Sequence, residues 1–369
     1  MAIHTKGKET EPCGDLAEWL GEHPERGFHV ACVRGGGHVE LFPEGSREHR
    51  LEANDISDRP SLLKFLFHHV TRISRIEWNR IRLKGRKRLS FQNQEPVMFS
   101  ARGERLEFEA LEALPEGLLL IFEGGSWRWP PIRPGFRRSV DSVELITISV
   151  QPAIFEVVVD DEWHARLQSH VLPRAAPLFQ ASVTSDTRSV NVDTKVRNSQ
   201  TAWLPYTVSP EVKQHLAMSH ELLRIPKVQF EPSMQVVRYE HGQFYDAHRD
   251  YWDPRENPDG KFTDGSNRWA NRFATLLWYL ASPYTGGETW FPRSGGGPPP
   301  IGDWRACDER GIKVPAKNGS AVLFYSLLAS GELDEYSWHC GCPVVAGTKI
   351  AANSWVWSSQ KSEWDVDEL

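Results

Sequence analysis

Cysteine is scarce in this chain, with five in 369 residues. That is too few for a disulfide scaffold, which small secreted domains build from dense bridges. Cys13 and Cys32 read as buried or free thiols. Cys340 and Cys342 flank Gly341, and a zinc site there would need two further ligands that the sequence does not place. Long apolar runs are missing too: none approaches the roughly 20 residues of a membrane-spanning helix. The opening MAIHTKGKETEPCGD lacks the apolar core of a secretory signal, so the chain reads as cytoplasmic. The closing Val366-Asp-Glu-Leu369 imitates an endoplasmic-reticulum retention tail imperfectly and reads better as an acidic end that happens to close on Leu. A basic excess is also absent, with 43 Lys and Arg against 49 Asp and Glu and a formal net charge of -6. That balance argues against general nucleic-acid affinity.

What is present is an ordinary globular composition, 40% hydrophobic and 25% charged, with length enough for two domains. In the first part, Asp15–Leu20 reads as a short amphipathic helix and Phe28–Val33 as a strand. Gly35, Gly36 and Gly37 end that strand in a tight turn; no Lys-Ser or Lys-Thr follows to make a phosphate loop. Ser61–Phe67 has the apolar density of a packed helix, with His68 and His69 at its end. Arg72 to Arg88, RISRIEWNRIRLKGRKR, is strongly basic and alternates in part as a half-buried strand would. It reads as a solvated sheet face rather than a surface for an acidic partner. Leu118–Phe122 is a further strand. Prolines 130, 131 and 134 with Gly135 suggest a linker near 130–142. The expected division is 1–140, a small β-rich or α+β domain, and 141–369, a second domain.

The second domain opens with strand signals at Val143–Ser149 and Phe155–Val159. Trp163, Leu167 and Val171 then recur every four residues behind Asp160 and Asp161, as on the buried stripe of a helix with an acidic start. Ser209-Pro210 opens a second helix that buries Val212, Leu216 and Leu223. His164, His170, His215 and His220 on or near these helices read as scaffold. Beyond Met234 strands take over. Phe273–Leu280 is a continuous apolar run, as in a strand buried on both faces. Val322–Ser326 and Thr348–Trp357 add strands; Asp253–Asn271 and Ser294–Ile301 are loops, the first expected as a lid or rim. The succession predicts a mainly β domain with flanking helices, a double-stranded β-helix or jelly roll.

The chemistry concentrates in Met234–Asp253, MQVVRYEHGQFYDAHRDYWD. His248 and Asp250 stand two apart, and in a strand such residues share a face. An imidazole and a carboxylate on one face can hold a divalent metal from one side. His339 is the candidate third ligand. Two His and one carboxylate leave coordination positions open, the pattern of a non-haem Fe(II) oxygenase. Lys349, ten residues on, could hold the far carboxylate of a dicarboxylic co-substrate.

Around these residues lie Arg272-Phe-Ala-Thr-Leu-Leu-Trp-Tyr-Leu280, Gly286-Gly-Glu-Thr-Trp-Phe-Pro292, Lys317-Asn-Gly-Ser-Ala-Val-Leu-Phe324 and His339-Cys-Gly-Cys-Pro-Val-Val-Ala-Gly-Thr-Lys349. In this order and spacing they closely resemble the catalytic domain of the prolyl 4-hydroxylase alpha-subunit family, over about residues 151–359. The resemblance implies a procollagen-proline 4-dioxygenase-like enzyme with Fe(II), 2-oxoglutarate, O2 and ascorbate. Its reaction couples loss of CO2 from 2-oxoglutarate, leaving succinate, to hydroxylation of a substrate C–H. By resemblance His248, Asp250 and His339 bind iron, Lys349 holds the co-substrate with Tyr239 and Thr289, and Tyr245, Arg272 and Trp355 contact a proline-containing peptide or protein. Tyr245 and Trp355 could instead only pack the jelly roll. Cys307 and Cys342 match cysteines of relatives, notably plant ones, which implies a bridge in an oxidising compartment; the endoplasmic reticulum is thereby open as a location. The chain departs from the family around Arg249–Pro254 and in a longer loop before Arg272, which leaves collagen-like, wall-glycoprotein and other proline substrates equally open. A related dioxygenase of another side chain or small molecule, and a catalytically silent binding module, are the alternatives. Lysyl and oxygen-sensing hydroxylases usually carry Arg where this chain has Lys349, and the intact ligand set argues against silence.

Overall fold

The computed structural model describes residues 13–78, 97–106, 116–185, 190–191, 195–253, 256, 270–298 and 307–359. The chain divides into two compact units, Met1–Arg133 with Leu328–Glu332, and Pro134–Leu327 with Leu333–Leu369. No helix among the described residues is long and apolar enough to cross a membrane.

The first unit is an antiparallel sheet with one helix. Its elements are β1 (Phe28–Arg34), β2 (His38–Phe42), β3 (Leu51–Ala53), α1 (Arg59–Trp78), β4 (Val97–Phe99) and β5 (Gly117–Phe122), with strand order β3-β2-β1-β5-β4. The glycine run forms the β1–β2 turn. Gly37 has φ +76, and a Cβ there would stand 2.5 Å from the Ile56 carbonyl oxygen, so glycine is required. Asp58 caps α1 by accepting from the Ser61 N–H at 2.8 Å. Leu62, Leu66 and Val70, one turn apart, pack on Ala31, Val33, Val39, Leu41 and Ile121. The helix continues to Trp78 where alternation predicted a strand from Arg72. A capped helix already carrying a period-four stripe outweighs the weak period-two signal. The rest of the basic run, from 79, lies outside the described residues.

Cys13 and Cys32 are disulfide-bonded rather than free. Cys13 opens a short 3-10 turn, Cys13–Glu18, where an amphipathic helix was expected, and that turn lies against β1, in which Cys32 is fully buried. The expected linker is also partly structured: Ile132 is buried, and the division falls between Arg133 and Pro134.

The second unit contains β6 (Arg137–Val140), β7 (Val143–Ser149), β8 (Ile154–Val158), α2 (Asp161–Ala175), β9 (Gln180–Ala181), β10 (Thr184–Ser185), β11 (Val190–Asn191), β12 (Gln200–Pro205), α3 (Pro210–Leu223), β13 (Ser233–Tyr239), β14 (Tyr245–His248) and β15 (Arg272–Ala281). It continues with β16 (Thr285–Gly286), β17 (Thr289–Phe291), β18 (Ile312–Val314), β19 (Ser320–Tyr325), β20 (His339–Gly341), β21 (Val344–Ala346) and β22 (Lys349–Trp357). The major sheet runs β6-β7-β8-β19-β15-β22-β13-β12-β9, and the minor sheet β14-β20-β17-β18. Because β6 pairs with β7, the second unit begins before the boundary expected at 140.

Side chains of both sheets meet in one core: Val237, Leu277, Val322 and Phe324 of the major sheet pack with Phe291 and Val314 of the minor one. Two antiparallel sheets closed over such a core make the double-stranded β-helix. Helices α2 and α3 carry Asp160 and Ser209 caps and bury one stripe each. His164 Nε2 donates to the Tyr279 carbonyl oxygen across 2.9 Å. His215 is fully buried, and burial holds its imidazole neutral, with a pKa lowered to about 3.

Candidate active site

Strand register builds the metal-ligand cluster. His248 ends β14 and is the direct cross-strand partner of His339, which begins β20. Asp250 lies past the end of β14, so the expected placement of both residues on one strand face does not hold. The chain leaves the sheet after His248, and the short turn still returns the carboxylate to the same point. Both imidazole Nε2 atoms stand 3.8 Å from Asp250 Oδ1. The ligand atoms of the three residues all lie within 4.8 Å of one another.

The remaining polar atoms are committed elsewhere. His248 Nδ1 is 2.8 Å from the Asp246 carbonyl and His339 Nδ1 is 3.0 Å from the Ser337 carbonyl. A carbonyl only accepts, so each Nδ1 carries the proton and each Nε2 offers a lone pair to the centre. Asp250 Oδ2 accepts from Thr275 Oγ1 at 2.5 Å and from Trp355 Nε1 at 3.1 Å. Oδ1 is thus left facing the two imidazoles, with Arg272 Nη1 at 3.9 Å. Burial pushes the Asp250 carboxyl up, but its electrostatic interactions with His339, Arg272 and His248 and the Thr275 hydrogen bond outweigh it and bring the pKa to about 2. Burial, then His339, lowers His248 to about 3. An ionised carboxylate and a neutral imidazole are the forms that ligate. The donor set therefore fits a divalent transition metal with positions left open.

A cavity of 690 Å³ surrounds this cluster and is lined by every ligand, co-substrate and substrate residue expected from the sequence: His248, Asp250, His339, Tyr239, Thr289, Lys349, Tyr245, Arg272 and Trp355. Lys349 starts β22 opposite Tyr239 and is 2% exposed. Its Nζ lies 5.5 Å from the ring centroids of Tyr239 and Tyr279. Burial drives its ammonium down to about 8, opposed by Cys340 and Glu288. Thr289 Oγ1 accepts from the Tyr279 hydroxyl at 2.9 Å. On the other side, Tyr245 stacks on His248, 3.7 Å between centroids, with the Arg197 guanidinium 4.4 Å from the tyrosine ring centre. Arg272 lies 3.5 Å from the centre of the Trp355 ring, and Trp203 packs against Trp355 at 5.8 Å. Cys307 and Cys342 are bonded, and Cys340 between them on the cavity wall is a free, buried thiol.

Residues 234–357 match the model of the 2OG-Fe(II) oxygenase superfamily. The chain is 31% identical over 247 residues to a probable prolyl 4-hydroxylase 6 of Arabidopsis thaliana, covering 65% of this chain and 78% of that one. The chain belongs to the prolyl 4-hydroxylase family. It is also 30% identical to prolyl 4-hydroxylase 1 of the same plant, over 62% of this chain and 77% of that one. The match to prolyl 4-hydroxylase 2, 40% identical, spans 33% of this chain and 40% of that one. Among solved structures, the viral collagen prolyl hydroxylase vCPH from Paramecium Bursaria Chlorella virus-1, a 2OG complex, is 24% identical over 56% of this chain and 96% of that one, with a TM-score of 0.38.

For a prolyl 4-hydroxylase family member, Fe(II), 2-oxoglutarate and O2 are the expected reactants, and the cluster and cavity have the donors for them. Sequence reasoning missed Thr275, Tyr279 and Arg197. The first two sit inside the apolar Phe273–Leu280 run, where a hydroxyl in a doubly buried strand was the available signal, since buried hydroxyls seek partners. Arg197 lies outside every motif. Of the loop Asp253–Asn271, 254–255 and 257–269 fall outside the described residues; Asp253 and Glu256 line the cavity, and Glu256 takes both oxygens to Arg249 Nη2 at 2.9 Å.

Proposed function

We propose that this chain 4-hydroxylates proline residues in a peptide or protein, consuming 2-oxoglutarate and O2 and releasing succinate and CO2, with ascorbate keeping the iron ferrous. The observation that carries the reading is the shared cavity. It holds an open two-histidine, one-carboxylate cluster and, buried on its wall, one lysine ammonium.

His248 Nε2, Asp250 Oδ1 and His339 Nε2 would hold Fe(II). Bound there, the metal supplies open positions for the keto acid and O2 and the oxidising chemistry of the family. Lys349 pairs with the distal carboxylate, and Thr289 and Tyr239 add hydroxyl donors in a dry pocket, where such bonds are strong. Tyr279, bonded to Thr289, fixes which way that hydroxyl points. The Asp250 carboxylate stays ionised through Thr275, Trp355 and Arg272. Trp355, Tyr245 and the half-exposed Trp203 offer aromatic faces on the open side. Proline rings in an extended polyproline II segment lie flat on such faces at low ordering cost. Relatives named prolyl 4-hydroxylases support the choice of proline.

The test is a library of proline-containing peptides incubated with Fe(II), ascorbate and 2-oxoglutarate, read by mass spectrometry. The expected product gains one oxygen on proline, at C4 by fragmentation and amino-acid analysis, with succinate in step. Succinate formed with oxygen on another side chain, or no succinate at all, would reject the reading.

A further inference from the structure

Three cysteine sulfurs meet beside Trp290, with Cys340 alone of the three lining the cavity, in a place that proline hydroxylation does not use. The Sγ atoms of Cys307, Cys340 and Cys342 all lie within 4.8 Å of one another. Cys340 lies in β20 and Cys342 one residue past its end, and each is 2% exposed beside Trp290. Cys307 arrives from 33 residues earlier, half-buried, with its Sγ 3.7 Å from Cys340 Sγ. Its φ is +41, a left-handed backbone that a side-chain-bearing residue rarely adopts.

We propose that when the Cys307–Cys342 bond is reduced, these three sulfurs become a thiolate site for a soft cation of the Zn(II), Cd(II) or Cu(I) class. The spacing suits it. Bonds of about 2.3 Å from a tetrahedral zinc put its sulfur ligands about 3.8 Å apart. The Cys307–Cys340 separation is already 3.7 Å. The donor class also separates this site from the neighbouring cluster. Thiolates select soft cations, whereas the two-imidazole, one-carboxylate cluster suits ferrous iron.

The two states exclude each other. In the bonded state only Cys340 offers a thiol. An external dithiol passes two electrons and two protons to the Cys307–Cys342 bond, which breaks into two thiols while the dithiol leaves as its own disulfide. Cation binding then releases the three thiol protons. A soft metal and the disulfide are therefore alternative occupants of one place, and the choice between them is set by reducing power and metal supply.

The experiment uses the full chain, reduced with dithiothreitol, freed of reductant under argon and titrated with Cd(II). Thiolate-to-cadmium charge-transfer absorption in the ultraviolet reports sulfur ligation and is silent to binding at His248, Asp250 and His339. The expected result is one equivalent bound with the band in reduced protein, and no band in protein never reduced. Cys340→Ser, reduced in the same way, should bind at least tenfold more weakly while still forming the bridge on reoxidation. A reduced, natively folded protein without the band overturns the proposal, and so does Cys340→Ser titrating like the unchanged chain. Loss of native circular dichroism on reduction overturns it too, since the site requires the folded, reduced chain.

Discussion

Trp355 donates its indole N–H to Asp250 Oδ2 across 3.1 Å, which joins the aromatic wall of the cavity to the carboxylate of the metal-ligand cluster. The same strand carries the lysine: Lys349, Ala351, Asn353 and Trp355 alternate along β22, and all four line the cavity. One strand thus presents the buried lysine ammonium at its start and the indole that clamps the Asp250 carboxylate near its end. Thr275 supplies the other half of the clamp from the adjacent β15. Removing one such outer partner should weaken metal affinity roughly 10- to 100-fold. Thr275→Val should do so without moving the peptide KM, because Thr275 is buried behind the carboxylate. Trp355→Phe should move both. Titration with Co(II), followed by its visible absorption, and peptide kinetics check the pair; a Thr275→Val protein that binds Co(II) as the unchanged chain does would show the hydrogen bond to be idle.

Changing His248, Asp250 or His339 to Ala should each abolish 2-oxoglutarate turnover and greatly weaken Fe(II) binding, with the fold kept. Asp250→Ala is the most demanding case. It removes the charge that Arg272 faces at 3.9 Å and the acceptor of two hydrogen bonds. Its metal loss should therefore be accompanied by a lower melting temperature. Succinate release and calorimetry on the same samples decide it, and full turnover in Asp250→Ala would remove the cluster from the mechanism.

The site was more legible than the scaffold around it because its chemistry requires residue types that a core does not. His248 and His339 stand 91 residues apart, yet their neighbours Asp250 and Lys349 made each recognisable; the register His248 to His339 then brings them together. The jelly roll was legible from apolar runs such as Phe273–Leu280. What stayed hidden depends on partners that only folding reveals. Thr275 and Tyr279 read as part of an apolar wall until their hydroxyls are seen aimed at Asp250 and Thr289. The Cys13–Cys32 pair looked like two thiols because a 3-10 turn, not a periodic element, sets Cys13 beside β1. The helical stretch after Arg72 was masked by charges that satisfy strand alternation and helix faces alike.

The Cys13–Cys32 bridge closes a loop of separation 19 in the first unit. By the chain-entropy account a loop of that length contributes about 3 kcal/mol. Cys13→Ser with Cys32→Ser should therefore lower the urea midpoint measured on Trp fluorescence, to which the cluster of Trp19, Trp127 and Trp129 in that unit contributes. The Cys307–Cys342 bond should appear separately by non-reducing peptide mapping of oxidised material. A double variant as stable as the oxidised chain would mean that the first bridge does not form in solution.

If Lys349 is the proposed partner of the co-substrate carboxylate, co-substrate affinity should depend on pH. Losing one partner of a buried charge pair costs on the order of 2–5 kcal/mol, so Lys349→Ala should raise the KM for 2-oxoglutarate by about one to three orders of magnitude. Iron affinity should barely change, since Lys349 is held by the tyrosines and not by the cluster. Burial lowers the ammonium of the free protein to about 8. Below that pH the anchor is charged and affinity should be flat. Above it, each molecule of 2-oxoglutarate bound must bring a proton to Lys349, so affinity should fall about tenfold per pH unit. The stability of the free protein should respond with the opposite sign. The folded pKa lies below the unfolded value, the buried charge is a full penalty below pH 8, and that penalty is relieved as pH rises toward 10.5. Lys349→Arg keeps a charge that does not titrate in this range, so its 2-oxoglutarate affinity should be flat through pH 9, though weaker overall because the planar fork needs different room. Titrations of 2-oxoglutarate at fixed Fe(II) across pH, on the unchanged chain and both variants, separate the cases. A pH-independent affinity in the unchanged chain, together with an unaltered KM in Lys349→Ala, would move the carboxylate to another cation of the cavity, with Arg272 first in line.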